Sequence, residues 1–577
     1  MRLATEVGKE LYLTLPSTLV PEVNLGQRVS GFAWMEEGGN SGWLERGLAY
    51  YANPWFSPKG GGKGGWGHPW DSLAEAGLES KEAEAFWRFA GPMALEAFRT
   101  EPYLLAWALR SFVRADERLR ALGMPREHPS RLSAFAEYAV TLFAERTGST
   151  ATPLSELEEI CKGNIDMLQF GLSYAEERGS LVILGDKVAL SKYARWERES
   201  VQHLLTPKAS PVLRSAFALE QGGEAMEALA GVLKGGKALL LGGAGTGKTT
   251  LIRKVAEAYR GVTLLAPTGK AAKRLEEVTG LKTKTIHAFL LDREVREEPV
   301  GLLVVDEFSM VSSWLLWALL GATGYATPLL FVGDPFQLPP VDPGHPIAEM
   351  ESFVPKVELA KSHRFDQGLG KLLEALRGGK GDPRRDWGGE KMEGLEILPL
   401  GDSLLEEALA EVDGLKRVFL TPLKGGKYGS VALNAKKLEM EGRGDLFTAG
   451  SLVLAVNSDP VLGVVNGDTF RVEREENGLV YTAEGKVILP EQRHLFQGAY
   501  ALTVHRSQGS EWDEVFVVLP KEGLGIVDRR WLYTALTRAR KRVVVFSEGD
   551  ALYEAMGRSP SRRLGLLGYY ARALGLG

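Results

Sequence analysis

Cysteine is almost absent from this chain. Cys161 is the only one among 577 residues, which excludes a disulfide within the chain and a zinc site made of cysteines. A single cysteine most often fills space in a core, so we expect Cys161 to be buried, in a protein of a reducing, cytoplasmic compartment. Asparagine and glutamine are also scarce, with eight and nine copies. This indicates either a heat-adapted source or a genome of biased base composition.

Long apolar runs and an excess of positive charge are missing as well. No stretch approaches the roughly 18 apolar residues that cross a bilayer, and the first residues lack the apolar core of a secretion signal, so no membrane partner is expected. The 69 lysines and arginines are outnumbered by 74 acidic residues, which gives a net charge of −5. Proteins that coat nucleic acid are usually strongly basic. Any nucleic-acid site here must therefore be a local channel.

The length predicts several domains, and the first 205 residues divide into three regions. Residues 1–70 combine short apolar runs with a glycine-rich stretch at 57–66 and are predicted to be a β and loop region of unknown role. Residues 71–150 have apolar positions three and four apart, which predicts a helical domain. In residues 151–205 a helix is followed by two short strands around Gly185-Asp186, which is typical of a winged-helix-like module.

The rest of the chain alternates strand and helix signals and is predicted to form two α/β domains, 206–375 and 376–577. Buried parallel strands are indicated by four continuous apolar runs, Ala238–Leu241, Val262–Ala266, Leu302–Val305 and Leu329–Val332. The same alternation returns after Val418. Within the second domain, residues 440–497 predict short antiparallel strands that form a small inserted β-barrel.

A phosphate-binding loop follows the first of these strands. The segment Gly242-Gly-Ala-Gly-Thr-Gly-Lys-Thr249 fits the pattern G-x-x-x-x-G-K-[ST]. Its glycines let backbone N–H groups surround phosphate oxygens, and the N-terminus of the next helix adds positive charge. The predicted ATP-binding residues of this loop are Gly243, Ala244, Gly245, Thr246, Gly247, Lys248, Thr249 and Thr250.

Two acids, Asp306 and Glu307, end the strand Leu302–Val305. We predict that Thr249 and Asp306 hold Mg²⁺, and that Glu307 orients or deprotonates the attacking water. Hydrolysis builds negative charge on the transferred phosphoryl group, so cationic side chains should converge on it. Arg364 and Arg538 are candidates, although spacing alone does not separate them from ordinary surface arginines.

The ordered set of motifs resembles RecD-like DNA helicases of superfamily 1, the branch that moves 5′ to 3′. The motifs are Gly242–Thr249, Leu265–Ala272, Thr285-Ile-His287, Val304–Met310, Val332–Pro340, Ser362–Phe365, Tyr500–Gly509 and Tyr533–Arg540. Outside these, the resemblance includes Pro102-Tyr-Leu104, Arg114-Ala-Asp116, Leu122-Gly123, Arg131, Tyr193, Glu197 and Val465-Asn-Gly-Asp468. It covers most of the chain from about residue 90.

The resemblance implies a fold and a set of residue roles. The fold is two RecA-like P-loop motor domains with an SH3-like β-barrel inserted at 440–497, after a mostly helical N-terminal region that includes the winged-helix-like module. ATP and Mg²⁺ are the implied cofactors. Near ATP, the implied roles are a γ-phosphate sensor for Gln337, arginine fingers for Arg364 and Arg538, and adenine and ribose contacts for Gln221 and Glu511. The implied single-strand contacts are Thr268, Lys270, Thr285, His287, Thr503 and His505.

Two departures from the family pattern bear on unwinding. The family places a strand-splitting β-hairpin between the Thr-Ile-His motif and the Asp-Glu strand, but here only Leu291 to Val300 separate them. That is too few residues for a long hairpin. The helical region also lacks the family's glycine pattern for paired hairpins. We therefore expect translocation rather than vigorous unwinding.

The predicted function is an ATP-dependent 5′-to-3′ single-stranded DNA translocase or helicase in recombination, repair or replication, acting on single strands and single–double-strand junctions. One alternative is a motor subunit of a larger nuclease or repair complex, whose partner would supply the nuclease. Others are an RNA helicase and an ATP-switched single-strand-binding protein without processive unwinding. Glu307, Arg364 and Arg538 argue against the pure switch, because a switch does not need full hydrolytic machinery.

Overall fold

The computed structural model describes most of the chain from His68 to Gly575 and, before that, the backbone of five short strands. Outside the described part lie the rest of 1–67 and residues 69, 222, 292–299, 361–366, 379–390, 393, 460, 562 and 576–577. Of residues 367, 368, 391 and 392 only the backbone is described. The chain divides into two compact units, Met1–Trp196 and Glu197–Gly577.

The first unit begins with antiparallel strands in the order β1-β2-β3-β4-β5. They are β1 (Arg2–Ala4), β2 (Glu10–Thr14), β3 (Ala33–Glu37), β4 (Asn40–Glu45) and β5 (Leu48–Ala49). Strands were predicted here only in general terms, and the glycine-rich stretch at 57–66 lies outside the described residues.

A helical region follows, as its apolar spacing predicts. The helices are α1 (Asp71–Glu75), α2 (Ser80–Ala90), α3 (Ala94–Thr100), α4 (Leu105–Ala108), α5 (Phe112–Ala121) and α6 (Pro129–Thr147). Leu73, Phe86 and Leu105 are fully buried in their common core. The turn between α4 and α5 contains Arg110 with φ of 49°, a left-handed conformation that glycine usually supplies.

Three residues of the family motifs in this region form one polar network. The Tyr103 hydroxyl donates to Asp116 Oδ1 at 2.6 Å, and Arg131 donates to both oxygens of Asp116 at 2.7 Å. Burial and Asp116 raise the pKa of Tyr103 far above its usual value. A half-buried carboxylate needs such partners. A structural role in holding Asp116 is therefore enough to explain why Tyr103 and Arg131 stand at these positions.

The first unit ends with a small three-stranded sheet and its helices. The elements are β6 (Thr152–Pro153), α7 (Leu154–Ile160), α8 (Ile165–Glu177), β7 (Leu181–Leu184) and β8 (Lys187–Leu190). The next helix, α9 (Ser191–Leu205), begins in the first unit and ends in the second, where Val201 and Leu204 are buried in the core of the first α/β domain. The two strands predicted around Gly185-Asp186 are present as an antiparallel hairpin. Cys161 is 5% exposed and packs in the core of this region, so its predicted burial is confirmed.

The second unit opens with the first α/β domain, a parallel sheet in the order β11-β10-β12-β13-β9-β14. Its strands are β9 (Lys237–Gly242), β10 (Val262–Ala266), β11 (Thr283–Thr285), β12 (Leu302–Val305), β13 (Leu329–Gly333) and β14 (Lys356–Leu359). Its helices are α10 (Ala216–Glu220), α11 (Gly223–Leu233), α12 (Lys248–Ala258), α13 (Gly269–Thr279), α14 (Ile286–Leu291), α15 (Ser313–Ala322) and α16 (Pro346–Met350).

The four strands predicted for this domain are confirmed to within one residue at each end. Helices cover both faces of the sheet, so successive strand residues enter different cores. Leu239 and Leu241 of β9 pack in one core, and Ala238 and Leu240 pack in the other. Burial on both faces explains why these strands read as continuous apolar runs.

The second α/β domain contains a sheet in the order β15-β16-β25-β24-β17-β23, parallel except for β15. A separate antiparallel sheet, ordered β21-β20-β19-β18-β22, is inserted between β17 and β23. The strands are β15 (Lys391–Met392), β16 (Leu395–Pro399), β17 (Arg417–Thr421), β18 (Leu452–Ala455), β19 (Thr469–Glu476), β20 (Leu479–Thr482), β21 (Val487–Ile488), β22 (Phe496–Gly498), β23 (Ala501–Thr503), β24 (Trp512–Leu519) and β25 (Ala539–Ser547).

The helices of this domain show where the chain passes from one core to another. They are α17 (Gln367–Gly378), α18 (Asp402–Glu411), α19 (Ser430–Met440), α20 (Val504–Ser507), α21 (Arg529–Leu536), α22 (Ala551–Gly557) and α23 (Leu567–Ala573). Leu372 and Leu376 of α17 pack in the core of the second domain. The predicted boundary at 375/376 therefore falls inside a helix.

The end of the chain returns to the first α/β domain. Leu567 and Ala571 of α23 are buried in the same core as Leu239. Glu197 fixes this return, because its carboxylate accepts hydrogen bonds from the Ser313 hydroxyl at 2.6 Å and from the Leu566 backbone. The prediction that all of 376–577 belongs to the second domain is wrong for this C-terminal segment (563–575), since its apolar residues fill a gap in the first core. Of the helices in the described ranges, none combines the length and apolar character needed to cross a membrane.

Candidate nucleotide and DNA sites

The loop between β9 and α12 has the geometry of a phosphate cradle. Gly245 and Gly247 have φ of 74° and 87°, which only glycine adopts without strain, and Gly247 caps the N-terminus of α12. Lys248 Nζ donates to the Gly242 and Gly243 carbonyls at 2.8 Å each. The lysine is thus held folded over the loop, beside the backbone N–H groups that would receive a phosphate.

A cavity of about 690 Å³ opens in front of this loop. It is lined by predicted residues from both α/β domains, namely Ala244, Gly245, Thr246, Gly247, Lys248, Thr249, Thr250, Asp306, Glu307, Gln337, Glu511 and Arg538. Gly243 is not among the lining residues, and a Cβ on it would lie 2.5 Å from Arg377 Nη1 and 2.9 Å from the Tyr533 hydroxyl. Gln221 does not line the cavity: it is exposed, and its carbonyl accepts from Lys254 at 2.9 Å. Arg364 lies outside the described residues.

The two acids at the end of β12 are held in a constrained turn. Glu307 has φ of 50°, a left-handed conformation that costs a residue with a side chain roughly 1 kcal/mol or more. Its backbone N–H donates to Asp306 Oδ1 at 2.8 Å. Burial and the neighbouring Glu307 carboxylate raise the pKa of Asp306 above its usual value, while Lys248 and Arg274 oppose them. An added cation would relieve this crowding of negative charge.

Gln337 has an unused acceptor at the cavity wall. It is 4% exposed, and among the described residues its Oε1 has no hydrogen-bond partner. Its position is fixed by the turn after β13, where its N–H donates to the Asp334 carbonyl at 3.1 Å. A buried amide oxygen without a partner is costly, so a donor from a bound molecule is expected here.

Arg538 reaches the cavity from the second α/β domain. Its side chain is 2% exposed, and it donates to the Thr534 carbonyl at 3.0 Å and to the Ser510 carbonyl at 3.3 Å. These bonds to backbone oxygens hold the guanidinium at the wall of the cavity. A cation held in this way attracts an anion in the cavity.

Arg274 is a cavity residue that the sequence analysis missed. It lies on α13 and pairs with Glu511 across the two domains, at 3.0 Å between Nη1 and Oε1. Burial lowers its pKa, but Glu511, Glu307 and Asp306 together raise it above the usual value. No local pattern separates Arg274 from its neighbour Lys273, so only the fold identifies it.

Tyr533 is a second missed residue, although it begins one of the family motifs. Its hydroxyl donates to Asp334 Oδ2 at 2.7 Å and accepts from the Ala244 N–H at 3.2 Å. Phe336 packs edge-on against the ring at 5.2 Å, and the Arg377 guanidinium lies 6.0 Å from the ring centroid. One buried tyrosine of the second domain therefore contacts both the phosphate-binding loop and the turn that carries Gln337.

The predicted DNA-contacting threonines occupy similar places in the two sheets. Thr268 follows β10, while Thr285 and Thr503 are the last residues of β11 and β23. The hydroxyl oxygens of Thr268 and Thr285 accept the Ala271 and Ala288 N–H groups at 3.3 and 3.1 Å. Each hydroxyl keeps its own proton to donate to a phosphate.

The remaining predicted DNA residues differ in their surroundings. His287 and His505 are exposed, each at the second position after its threonine. Lys270 is half-buried, with Nζ 4.9 Å from the centre of the Trp512 ring. Burial lowers its pKa to about 8, Asp468 opposes the shift, and Arg540 adds to it. Lys270 is thus engaged where the inserted sheet meets the first domain, rather than free beside the threonines.

The inserted sheet approaches the first domain at Gly269. A Cβ on that glycine would lie 1.9 Å from Val465 Cγ1, so no larger residue fits. Gly467, next in the same loop, lies against Lys270. The Val465-Asn-Gly-Asp468 motif therefore makes the contact between the inserted sheet and the turn that holds Thr268.

The family of this chain follows from its similarity to a known DNA helicase. The ATP-dependent RecD2 DNA helicase of Deinococcus radiodurans is 30% identical over 534 residues, which cover 83% of this chain and 74% of that protein. The chain belongs to the RecD2 family of DNA helicases. It is an ATP-hydrolysing DNA helicase with a RecA-like P-loop motor, as the motif resemblance implies.

Other matches agree with membership of the RecD2 family. The family models that match are an AAA domain at 222–391, a UvrD-like helicase C-terminal domain at 498–546 and an ATP-dependent RecD2 DNA helicase HHH domain at 70–151. The RecBCD enzyme subunit RecD of Mycolicibacterium smegmatis is 31% identical over 67% of this chain and 82% of its own length.

A solved structure of Bacteroides Pif1 bound to single-stranded DNA matches 61% of this chain and 96% of its own, with 18% identity and a TM-score of only 0.40.

The match to the RecD2 HHH domain covers the helices α1 to α6. It is found although the expected glycine pattern is missing, with Arg110 in the left-handed turn between α4 and α5. The missing glycines therefore do not remove this region from the family. The strand-splitting hairpin expected in RecD-like enzymes corresponds here to a segment whose residues 292–299 lie outside the described part.

Proposed function

We propose that this RecD2 helicase is a 5′-to-3′ translocase on single-stranded DNA that acts at single–double-strand junctions in recombination, repair or replication. The observation that supports this most is the shared cavity. Lys248, Asp306 and Glu307 line it from one α/β domain, and Glu511 and Arg538 line it from the other. A substrate between the two domains can couple hydrolysis to their relative movement.

Each cavity residue has a role in this proposal. Lys248 binds the β and γ phosphates of ATP, and the loop residues from Gly243 to Thr250 surround them. Glu307 orients the attacking water. Gln337 donates to the γ-phosphate through its amide nitrogen, and its unused amide oxygen accepts from a bound water. Arg538 stabilises the charge of the transferred phosphoryl group, and Arg364 is proposed as a second finger on the evidence of its motif alone.

Mg²⁺ is proposed as the metal, held by Thr249 and Asp306 together with the phosphates of ATP. In the described residues, no group of three or more His, Cys, Asp and Glu side chains is arranged to hold a metal on its own. This suits Mg²⁺, which is usually bound by one or two carboxylates and by substrate phosphates. Bound there, the ion neutralises phosphate charge beside Asp306, whose own charge is disfavoured by burial and by Glu307.

Glu511 and Gln221 are the two residues that the motif resemblance assigns to ribose and adenine. Glu511 lines the cavity but is already paired with Arg274 at 3.0 Å and Arg540 at 3.3 Å. We therefore propose that Glu511 positions Arg274 rather than ribose alone. Gln221 is retained as an adenine contact only by its place before α11, since its side chain does not reach the cavity lining.

The DNA path in this proposal runs along Thr268, Thr285 and His287 of the first domain and Thr503 and His505 of the second. Hydroxyl and imidazole donors suit backbone phosphates and carry little sequence information. Lys270 contributes charge near the path while resting on Trp512. Binding should then be weakly sequence-specific and sensitive to salt.

Two further assignments are finer proposals about the fold. The sheet β18 to β22, with Val453, Phe470 and Val480 in its own core, supports an SH3-like barrel. The helix α8 followed by the β7–β8 hairpin supports a winged-helix-like module. A cytoplasmic location likewise remains a prediction from composition.

A motor subunit of a larger complex is the second candidate. This chain matches two relatives named as RecBCD enzyme subunits over 82% and 79% of the length of those relatives. The test is strand separation on duplexes with a 5′ tail, a 3′ tail or a fork, with DNA-stimulated ATPase measured alongside. Opening of the 5′-tailed and forked duplexes supports a stand-alone helicase. ATPase stimulation without opening supports a translocase that needs a partner, and opening of the 3′-tailed duplex alone contradicts the polarity.

A further inference from the structure

Three basic side chains with no place in the proposed DNA path meet beside His505. Arg530 comes from α21 of the second domain, His345 immediately precedes α16 of the first, and Arg563 belongs to the C-terminal segment. Arg563 is fixed there because its Nη1 donates to the Asp342 carbonyl at 3.0 Å and to the Gly344 carbonyl at 3.4 Å. We call Arg530, His345 and Arg563 the basic cluster.

In the described part of the chain, the basic cluster forms no direct ion pair, although the carboxylates of Asp528, Asp334 and Asp342 act on its arginines from a distance. Within the same residues, the buried atoms Arg530 Nε and His345 Nε2 have no hydrogen-bond partner. His345 is 3% exposed. Burial, followed by the two arginines, lowers the pKa of His345 to about 3, and burial with Arg530 lowers the pKa of Arg563 to about 10. His345 is therefore neutral, while the two charged arginines are each only partly exposed.

The nearby acids are turned to other uses. Asp528 accepts the Trp531 N–H at 2.9 Å as the cap of α21, and Asp334 accepts the Tyr533 hydroxyl at 2.7 Å. Asp342 is exposed and forms no ion pair with the basic cluster in the described part of the chain. Because none of these three carboxylates forms an ion pair with the basic cluster in the described part of the chain, a phosphate can bind between the two guanidinium groups. A guanidinium fork matches phosphate oxygens best.

The position of the basic cluster identifies the source of that phosphate. The helix α20, which carries His505, packs against α21, which carries Arg530. The Leu338 N–H, at the start of the loop whose carbonyls hold Arg563, donates to the Thr534 hydroxyl of α21 at 2.8 Å. Val341 directly precedes Asp342, whose carbonyl holds Arg563. Its side chain is 78% exposed and offers an apolar contact to a base. The cluster therefore adjoins the path marked by Thr503 and His505, where a single strand would present its backbone.

We propose that Arg530 and Arg563 together bind one backbone phosphate of the single strand, next to His505. The site joins three parts of the chain, because Arg563 rests on carbonyls of the first domain and Arg530 belongs to the second. It gives the C-terminal segment a direct part in holding DNA. This inference rests on the proposed single-strand path, and its test is designed to separate the two.

The test is equilibrium binding of a short fluorescent oligo(dT) without nucleotide, over a range of salt concentrations, for Arg530→Gln, Arg563→Gln and the double variant. Each single variant should weaken binding roughly tenfold at low salt. Losing one phosphate contact on a single strand should reduce the slope of log K against log salt by about 0.7. Because both arginines bind the same phosphate, the slope of log K against log salt should fall by about 0.7 in the double variant too, and not by twice that amount.

Arg572→Gln is the matched control, since Arg572 is exposed on α23 of the same segment. Arg563→Lys should regain the slope, because it keeps the charge, but not the full affinity, because it lacks the fork. Unchanged affinity and slope in the double variant, as in the control, would overturn the inference. If Arg563→Gln melts early, Arg530→Gln decides alone. A wild-type protein that binds no oligo(dT) at any salt concentration would instead overturn the proposed function.

Discussion

Both α/β domains end an edge strand in the same pattern. Thr285-Ile-His287 closes β11 in the first sheet, and Thr503-Val-His505 closes β23 in the second. Counted from these edges, β12 and β24 both stand third, and β9 and β16 both stand fifth. The two sheets thus share one strand order, and the same short polar pattern stands at the same corner of each.

The sheets differ at the other equivalent positions. β9 leads into the glycine loop and Lys248, whereas β16 is followed by Leu400-Gly401 and then α18. β12 ends in Asp306-Glu307, whereas β24 ends in Leu519-Pro520. In the proposed function the DNA side is therefore duplicated, while the nucleotide side is divided into a binding half, which carries Lys248 and Glu307, and a responding half, which carries Arg538. A motor that passes a strand between two similar grips needs this combination.

The largest effect is expected for the binding half of the nucleotide site. Lys248→Ala should abolish ATP turnover, because no other cation lies in the loop to hold the β and γ phosphates. Glu307→Gln should keep ATP and DNA binding but stop hydrolysis. Steady-state ATPase and filter binding of labelled ATP measure both, with the exposed Lys234→Ala as control. Normal turnover in either site variant would remove the site.

The responding half should matter for rate more than for affinity. Arg538→Ala should lower kcat by about 100-fold or more, because its charge acts on the transferred phosphoryl group. The KM for ATP should change only a few-fold. Arg542→Ala is the control, because Arg542 is exposed on β25, the strand that begins just after Arg538. Equal losses in kcat and KM would reduce Arg538 to a binding residue and weaken the division between the halves.

The duplicated DNA side should respond symmetrically. Thr285→Val and Thr503→Val should each weaken oligo(dT) binding roughly fivefold to tenfold, the scale of one hydrogen bond to a charged group. Thr279→Val, at the far end of α13, serves as the control. Fluorescence anisotropy without nucleotide gives the comparison. A loss confined to one of the two threonines would break the symmetry.

A smaller effect is expected where the halves are joined. Tyr533→Phe removes the donor to Asp334 and the acceptor for Ala244 N–H but keeps the ring packing. DNA stimulation of ATPase should fall roughly threefold to tenfold, the scale of one or two buried hydrogen bonds. Turnover without DNA should fall less. A uniform fall in both rates would make Tyr533 a structural residue only.

The smallest effect is acid sensitivity of the first domain. Burial and Lys208 lower the pKa of His203 to about 4, and His203 is 5% exposed. Its neutral form is favoured by folding, so this stability is complete above the unfolded pKa of about 6.5 and is lost as pH falls towards 4. At about pH 5.5 the loss is about 1 kcal/mol.

Thermal melting at about pH 7.5 and about pH 5.5 checks this, with His203→Gln beside the wild type. The variant should lose less Tm on acidification than the wild type, although it starts lower because the stacking on Tyr325 is gone. Equal losses in the two proteins would place the acid sensitivity elsewhere.

The features predictable from sequence were those written in consecutive residues. The runs around Leu239 and Val304 predict buried parallel strands, and the glycines before Lys248 predict a phosphate cradle, because backbone geometry there depends on near neighbours. Arg274 and Tyr533 were missed as functional residues, since their partners Glu511 and Asp334 are distant in sequence. Lys270 was expected beside DNA, but packing of the inserted sheet engages it near Trp512. The return of Leu567 to the first core has no local sign at all.

That return gives the two α/β domains a second covalent crossing. The chain passes from the first to the second once after β14, and it comes back before α23. Cleavage of the chain between β14 and α17 would yield two fragments that stay together, because the C-terminal fragment, the smaller of the two, keeps α23 buried in the core of the other. When the cleft between the two α/β domains opens, both connections must accommodate the movement. The shorter connection then limits how far the domains can separate.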